Sequence, residues 1–600
     1  MCASMVPRGP DDGGLEVVHR PGARVVSFGA RRLAIIDPSH AGHQPMTDHG
    51  RGTTIVFNGM IYNFRELRQS LEAHGEVFNS QCDTEVVLRA YGRYGSRCVD
   101  EMRGMFAFSI WDSRSRELFL ARDRLGIKPL YYFRGAGWFL FASQVKALLA
   151  SGLVDDGLSP EGLATYLSFG AVSEPLTIID GVRALPAGHT ATLRDGKLQL
   201  NKYWEPHATT EAAYSTEQTV VALRAMLDEI VGGHLVSDAP LGVFLSGGLD
   251  SSVLAALAAR QTDRLKTISV VFHERAYSEE GYIDSVTRRL GVDHVRVSLG
   301  AADLRKHLAD AFEAMDQPSF DGINTFFVSR AAHEAGLKVA LSGLGADELF
   351  DGYGNTRRVA RLERIRRLPR PLPQMAGAAA AFAERGSKKQ KLRQWASGPF
   401  APGHSYELLR RLFLPGEVAR LVSTPGASDG APAAVAIDRR KDVFPQVSML
   451  ELTNYTKNVL LRDTDAMSMA NSLEVRVPYL DHRLVEWALG LPRSARAGKG
   501  KALLIAAVRD VLPEEVLARR KHGFLLPLEG WMRGDLADDV VATLSEPPHA
   551  LRELLDRHAA RSVWAEFVSN RASWLRPWSL YALCKWVESL AERSPVTSPG

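Results

Sequence analysis

Six hundred residues, 45% hydrophobic, 24% charged and 8% aromatic, suit roughly two to four domains with real cores and exclude a disordered chain. Lys and Arg number 73 against 69 acidic residues, and the net charge of +4 requires neither nucleic acid nor an anionic membrane as a partner. The four cysteines (Cys2, Cys82, Cys98, Cys584) have no paired or dense spacing, which argues against a disulfide scaffold or a zinc site. No apolar run nears the about eighteen residues of a membrane span, and the N-terminus lacks a signal-peptide pattern, so a cytoplasmic protein is expected.

From about residue 24 to 145, short runs such as "GTTIVFNGMIYNF", "GMFAFSIWD", "RELFLARD" and "WFLFAS" are rich in Val, Ile, Phe and Tyr and broken by Gly, Asp and Ser. They predict a largely antiparallel sheet, with helices at 64–74 and 83–94. Strand character ends with "HTATLRDGKLQLNKYW", and a domain boundary is placed near residue 205. Beyond it, "LGVFLS", "TISVVF" and "KVALSG" each run into a loop and then a helix. That is the pattern of a parallel α/β sheet, whose ligands sit at the carboxyl ends of the strands. The basic run at 357–374 reads as a solvated helix face stopping at its prolines, and 423–434 as a flexible loop. From 450 the chain reads as mostly helical, ending in a frayed tail at 594–600.

The stretch "LGVFLSGGLDSSVLAALAAR" (residues 241–260) joins an apolar strand, a Gly-rich turn and a helix. Gly247 and Gly248 let the backbone turn tightly and bring its N–H groups onto an anion. The hydroxyls of Ser246, Ser251 and Ser252 and the helix N-terminus add donors and positive potential. Lacking a Gly-Lys-Ser/Thr ending, this is not a Walker loop. A second strand ends in "LSGLGADELFDGY" (341–353), where the adjacent carboxylates of Asp347 and Glu348 suit Mg²⁺ beside a triphosphate or, equally, the N-terminal cap of a helix.

The first of these motifs resembles the PP-loop ATP pyrophosphatases, which cleave ATP between the α and β phosphates and adenylate a substrate. With "LLRDTDAMSMANSLEVRVPYLDHRLVEWALGLP" (460–492) and "RRKHGFLLPLEGW" (519–531), the set resembles the synthetase domain of glutamine-hydrolysing asparagine synthetases of the B type. The resemblance implies an acyl-adenylate attacked by ammonia. It places Leu245, Ser246, Gly247, Gly248, Asp250, Ser251, Ser252, Val270, Ser342 and Gly343 around ATP, and Mg²⁺ on Asp250, Asp347 and Glu348. Lys521 would meet the reacting phosphate, where negative charge builds.

The first part of the chain is similar to the same family through "RGPDDGG", "ARRLAIIDPSHAGHQPM", "VFNGMIYNFREL", "CDTEVVLRAYGRYG" and "LARDRLGIKPLYY". These resemble its N-terminal-nucleophile glutaminase domain, an αββα fold with an antiparallel sheet. After Met1 removal the Cys2 thiol would be deprotonated by its own α-amino group, whose pKa of about 8 suits a base at neutral pH. By resemblance, the Asn58 side chain and the Gly59 N–H hold the oxyanion, Arg32 beside Leu33 takes the glutamine carboxylate, and Asp83 its ammonium.

The chain departs from the family pattern in several places. Met60 stands where a Glu is usual, which removes a carboxylate from the glutamine site. The opening "MCASMVPRGPDD" leaves no sequence for the first central strand and its following helix, so Cys2 is either the working thiol or a residue at a shifted start. Leu344 replaces an acidic residue between two glycines, Ala466 replaces an Arg, and "PSFDGINTFFVS" (318–329) is atypical. All three would bear on the acceptor.

The expected organisation is a glutaminase domain over 1–205, a synthetase domain over 206–593 and a tail over 594–600. The first expectation for its function is an ATP-dependent amidotransferase that moves glutamine-derived ammonia to an adenylated carboxylic acid, aspartate or another. The alternative is an adenylating ligase with an inactive glutaminase domain, similar to β-lactam synthetases or lasso-peptide cyclases; a scaffold without activity is the third. Glutamine and a carboxylic acid are the expected partners, and the resemblance allows a homodimer.

Overall fold

The computed structural model describes residues 1–18, 25–209, 215–272, 279–366, 369, 371–383, 386–397, 404–422, 441–496, 500–519 and 526–591. Asp12–Val18 (β1) and Val26–Arg32 (β2) pair as an antiparallel ribbon. Next come Met46–Asp48 (β3), Thr53–Ile61 (β4), helices Phe64–Ala73 (α1) and Asp83–Tyr94 (α2), Gly104–Asp112 (β5) and Glu117–Arg122 (β6). Tyr131–Gly135 (β7), Trp138–Ala142 (β8), helices Val145–Leu149 (α3) and Pro160–Phe169 (α4), Val182–Ala184 (β9), His189–Arg194 (β10) and Lys197–Lys202 (β11) complete this part. One six-stranded antiparallel sheet runs β11-β10-β6-β5-β4-β3, and a three-stranded sheet runs β8-β7-β9.

The central strand β5 is apolar at nearly every position because both of its faces are covered. Phe106, Phe108 and Ile110 pack toward α1 and α2, against Phe64, Leu67 and Leu71 at helical spacing and Val86, Val87 and Ala90. On the opposite face Ala107, Leu118 and Leu120 meet Phe28 and the rings of Tyr132, Phe139 and Phe141. Helices α3 and α4 contribute Val145, Leu148, Leu163 and Tyr166 to the cluster on the far side of the small sheet. The result is the expected helix–sheet–sheet–helix layering. As the sequence leads one to expect, Cys2 does not begin a central strand: Cys2–Arg8 form a 3₁₀ helix, with Pro7, which has no N–H for a sheet ladder, inside it.

The second part begins at Thr216–His234 (α5), whose start is held by Ser215 Oγ accepting from Gln218 N and Gln218 Oε1 accepting from Ser215 N. Leu241–Phe244 (β12), Leu249–Ala259 (α6), Lys266–Phe272 (β13), Asp293–Leu299 (β14), Ile323–Glu334 (α7), Val339–Leu341 (β15), Arg462–Met469 (α8) and Glu474–Arg476 (β16) follow. The parallel sheet has the order β14-β13-β12-β15-β16. The chain leaves β12 toward β14 on one side and returns on the other as β15. That reversal opens a crevice at the carboxyl ends of β12 and β15, where both Gly-rich loops lie.

The remainder is helical, as expected, and includes a π-helix over Glu451–Leu461. One apolar cluster runs through both parts of the chain: Tyr166 and Leu167 belong to it with Phe312, Trp578 and Trp586, and the Tyr166 hydroxyl donates to the Ser579 carbonyl at 2.7 Å. In the basic run, helix Asn355–Ile365 exposes Arg357, Arg358, Arg361 and Arg364. Arg366 departs from the solvated reading, being buried against Glu363 at 2.8 Å. Residues 423–434 and 594–600 lie outside the described residues. Among the described residues no helix is long and apolar enough to cross a membrane.

Candidate active sites

In the first domain, Cys2, Arg32, Leu33, Asn58, Gly59 and Asp83 all line one cavity of about 340 Å³. They arrive there from the N-terminal 3₁₀ helix, the end of β2, the middle of β4 and the start of α2. Cys2 is half-buried and packs over β2, where a methyl group on Gly29 would overlap its Sγ. Gly59 has φ +150, and a Cβ there would lie 2.8 Å from Phe106 Cα, so the close pairing of β4 with β5 demands glycine. The Asn58 amide donates to Ser143 Oγ at 3.3 Å. Arg32 spends much of its donor fork on the loop beside it, donating to the Ile36, Asp37 and Ser39 carbonyls at 2.9, 2.7 and 3.2 Å.

Asp83 is 4% exposed and accepts from Ile61 N at 3.1 Å. Burial pushes its carboxyl up to about 6. Met60, where the resemblance leads one to expect a carboxylate, is 1% exposed and joins the core between sheet and helices. The cavity wall is completed from the second domain by Met469, Glu474 and Arg476. Arg476 donates to Glu474 at 2.9 Å and to the His234 and Val236 carbonyls at 2.7 Å, so a fully buried cation forms part of the seam.

In the second domain, Gly247 turns the chain at φ +67, a conformation open to glycine. Ser246 and Ser251 close the loop on itself: Ser246 N–H donates to Ser251 Oγ at 3.2 Å, and Ser251 Oγ donates to the Gly248 carbonyl at 3.2 Å. Ser252 Oγ is fully buried and has no hydrogen-bond partner among the described residues, a donor of the kind a bound phosphate would satisfy. Leu245 N donates to the Ile268 carbonyl at 2.8 Å, and Ser342 N to the Arg476 carbonyl at 2.8 Å, fixing the two strand ends. Val270 is 8% exposed on β13. The two loops touch, since a Cβ on Gly343 would stand 3.0 Å from Asp250 Cβ and 3.1 Å from Ser251 N.

The carboxylates of Asp250 and Asp347 are drawn together by the Lys501 ammonium, which pairs with both, at 2.6 Å for Asp347. Glu348 turns elsewhere: it is 3% exposed, accepts from the Tyr353 hydroxyl at 3.0 Å, and burial raises its pKa. Lys501 was not foreseen, because "GKGKALLIAAV" reads only as the start of an amphipathic helix. Arg519 was also missed, although it lies two residues from Lys521 in the motif. It donates to the Gly247 carbonyl at 2.8 Å, pairs with Glu279 and stacks on Tyr282 at 4.2 Å. Lys521 lies outside the described residues.

The atypical stretch at 318–329 meets α8 at a second pair of carboxylates, the half-buried Asp321 and the buried Asp463. Ser319 Oγ donates to Asp463, and burial pushes Asp463 up to about 7 and Asp321 up to about 6. Leu344 packs at the edge of the apolar cluster behind β12, and Ala466 is buried on α8.

Comparison with known proteins matches residues 1–204 to the glutamine amidotransferase domain and residues 222–588 to asparagine synthase. The chain belongs to the asparagine synthase family. It is 32% identical to asparagine synthetase [glutamine-hydrolyzing] 1 of Bacillus subtilis over 592 residues, covering 95% of this chain and 92% of that one. It is 30% identical to asparagine synthetase [glutamine-hydrolyzing] 3 of the same organism over 579 residues, covering 93% and 88%. It is also 29% identical to Amidase chyE of Penicillium rubens over 580 residues, covering 88% and 84%. This family member is an ATP-dependent glutamine amidotransferase, a carbon–nitrogen ligase, rather than an adenylating ligase with a silent first domain.

Proposed function

We propose that glutamine is hydrolysed in the first-domain cavity with Cys2 as the nucleophile, after Met1 is removed. The thiolate attacks the carboxamide carbon, ammonia leaves with a proton from the Cys2 α-ammonium, and water hydrolyses the thioester to glutamate. Asn58 and the Gly59 N–H would stabilise the oxyanion, Arg32 and Leu33 would seat the carboxylate end, and Asp83 would face the ammonium. What supports this reading above all is that these six residues, scattered over eighty positions, line one cavity.

At the second site the acceptor carboxylate would attack the α-phosphorus of ATP, pyrophosphate would leave, and ammonia would displace AMP from the acyl carbon. Leu245, Val270, Ser342 and Gly343 would border the adenosine. Ser246, Gly247, Gly248, Ser251 and Ser252 would hold phosphates, and Lys521 would meet the α-phosphoryl group. The Asp250–Asp347 pair fits Mg²⁺, because two carboxylates already share one cation, Lys501, and are oxygen donors suited to a hard ion. Bound there, Mg²⁺ would offset the charge of the triphosphate, and Glu348 would act from behind rather than as a direct ligand. The four thiols are free, which suits a reducing cytoplasm.

Aspartate is the first acceptor by kinship with the asparagine synthetases. A less polar acid is the second reading, favoured by Leu344, an apolar side chain where the resemblance leads one to expect an acidic one. Pyrophosphate release measured over a panel of carboxylic acids decides between them, with glutamine and with ammonium chloride as nitrogen donors. Aspartate-dependent release supports the first reading and release with another acid the second. Cys2→Ala should abolish product formation from glutamine and retain it from ammonium; release with no acid tested would refute adenylation.

A further inference from the structure

The positive charge of the chain is concentrated in one stretch. Residues 357–393 hold twelve Lys and Arg against two Glu, which leaves 61 basic and 67 acidic residues in the rest. The small net charge of +4 therefore conceals a basic region on an otherwise acidic protein. Three helices span this region: Asn355–Ile365, Leu372–Ala383 and Gly386–Ser397. Their inner faces meet at Trp395 and Ala396. Leu362 and Ile365 of the first helix pack there, and a Cβ on Gly377 of the second would stand 2.5 Å from Ala396 Cβ. The first and second helices also touch, so their outer faces adjoin.

On the first helix the outer face is a row of cations. Arg357, Arg361 and Arg364 recur at helical spacing and are exposed, with Arg358 beside them, and no ion pair with a described residue holds any of the four. Glu363, the one acid of this helix, is turned inward: it is 3% exposed and accepts from Ser405 Oγ at 2.6 Å and from Arg366 at 2.8 Å. The second helix differs in kind. Its sequence, LPQMAGAAAAFA, carries no charged residue, whereas the outer face of a surface helix is ordinarily polar. Leu372 and Met375 are 47% and 62% exposed, and with the exposed Ala379 they lie on the side away from Gly377.

An apolar strip edged by cations is complementary to lipid with anionic head groups. A bilayer takes the uncharged side chains into its interfacial region while the guanidinium groups meet its phosphates. A nucleic acid would use the cations but leave Leu372 and Met375 in water. We propose that the outer faces of Asn355–Ile365 and Leu372–Ala383 form a docking surface for an anionic phospholipid bilayer, which holds the protein on a membrane without crossing it.

The test is flotation of the full chain with vesicles of equal parts phosphatidylglycerol and phosphatidylcholine, and with vesicles of phosphatidylcholine alone. Wild type should float with the first and not with the second, and should be released as salt rises. Arg357→Gln/Arg361→Gln/Arg364→Gln should weaken binding by about a hundredfold and Leu372→Ser/Met375→Ser by about tenfold, while Arg357→Lys/Arg361→Lys/Arg364→Lys should bind like wild type. All five side chains are exposed, so each variant should keep the wild-type melting temperature. Equal flotation with both vesicles, or flotation with neither, would overturn the proposal. So would a Leu372→Ser/Met375→Ser variant that binds like wild type while the Gln variant fails, since that is how a surface for a nucleic acid or an acidic protein behaves. Wild type that ignores vesicles but self-associates, with Leu372→Ser/Met375→Ser monomeric, would assign the strip to a second copy instead.

Discussion

Asp83 shows how burial turns a surface-type residue into a tuned one. Its carboxyl is pushed up to about 6 from an ordinary value near 4, because α2 begins inside the cavity wall rather than in water. Over that window the folded chain holds a proton that the unfolded chain releases, so Asp83 costs stability as pH rises from about 4 to 6. In the proposed role function runs the opposite way, since only the carboxylate would attract the glutamine ammonium. KM for glutamine should therefore rise by up to about tenfold per pH unit below about pH 6, and Asp83→Asn should have a high KM with no such slope. Initial rates over pH 5 to 8 check this, and a flat wild-type KM would reject the assignment. The place of Asp83 in the cavity was expected from the resemblance around "CDTEV", but its shift was not, because desolvation depends on what packs over it.

At the level of elements, the two Gly-rich loops form one site because the sheet order reverses between β12 and β15. Asp250 opens α6, Asp347 follows β15, and Lys501 comes from a distant segment to sit between them. Removing that cation while leaving both carboxylates forces two like charges together in a partly buried place. Lys501→Met should cut pyrophosphate release by about a hundredfold or more, with glutamine hydrolysis in the absence of ATP retained. Coupled enzymatic detection of pyrophosphate reads it, and an unchanged rate would show that the lysine serves only packing. The strand-loop-helix pattern made Asp250 and Asp347 visible in the sequence. Lys501 stayed hidden because a lysine before an apolar helix is ordinarily a solvated one, and only the chain's return to the crevice distinguishes it.

Over the whole molecule, the two domains share a core. The cluster joining Tyr166 and Leu167 to Phe312, Trp578 and Trp586 leaves no separate apolar interior for the far side of the first domain. Buried ionic contacts such as Arg8–Asp465 add to the seam. Such a shared core should unfold as one unit: calorimetry of the full chain should give a single transition, and Trp578→Ala, at about 3–5 kcal/mol for a buried aromatic, should lower it without splitting it. Two resolved transitions would contradict this coupling. Local pattern was enough to read an antiparallel sheet followed by a parallel one and the glycine loops, because strand alternation and glycine turns are properties of neighbouring residues, whereas the six residues of the first-domain cavity were expected only through the family resemblance. The docking of Arg8 on Asp465, the retreat of Glu348 to Tyr353, the arrival of Lys501 and the closing of the Cys2 cavity by Glu474 and Arg476 all came from packing. They depend on contacts between residues hundreds of positions apart, whose free energies no local pattern carries.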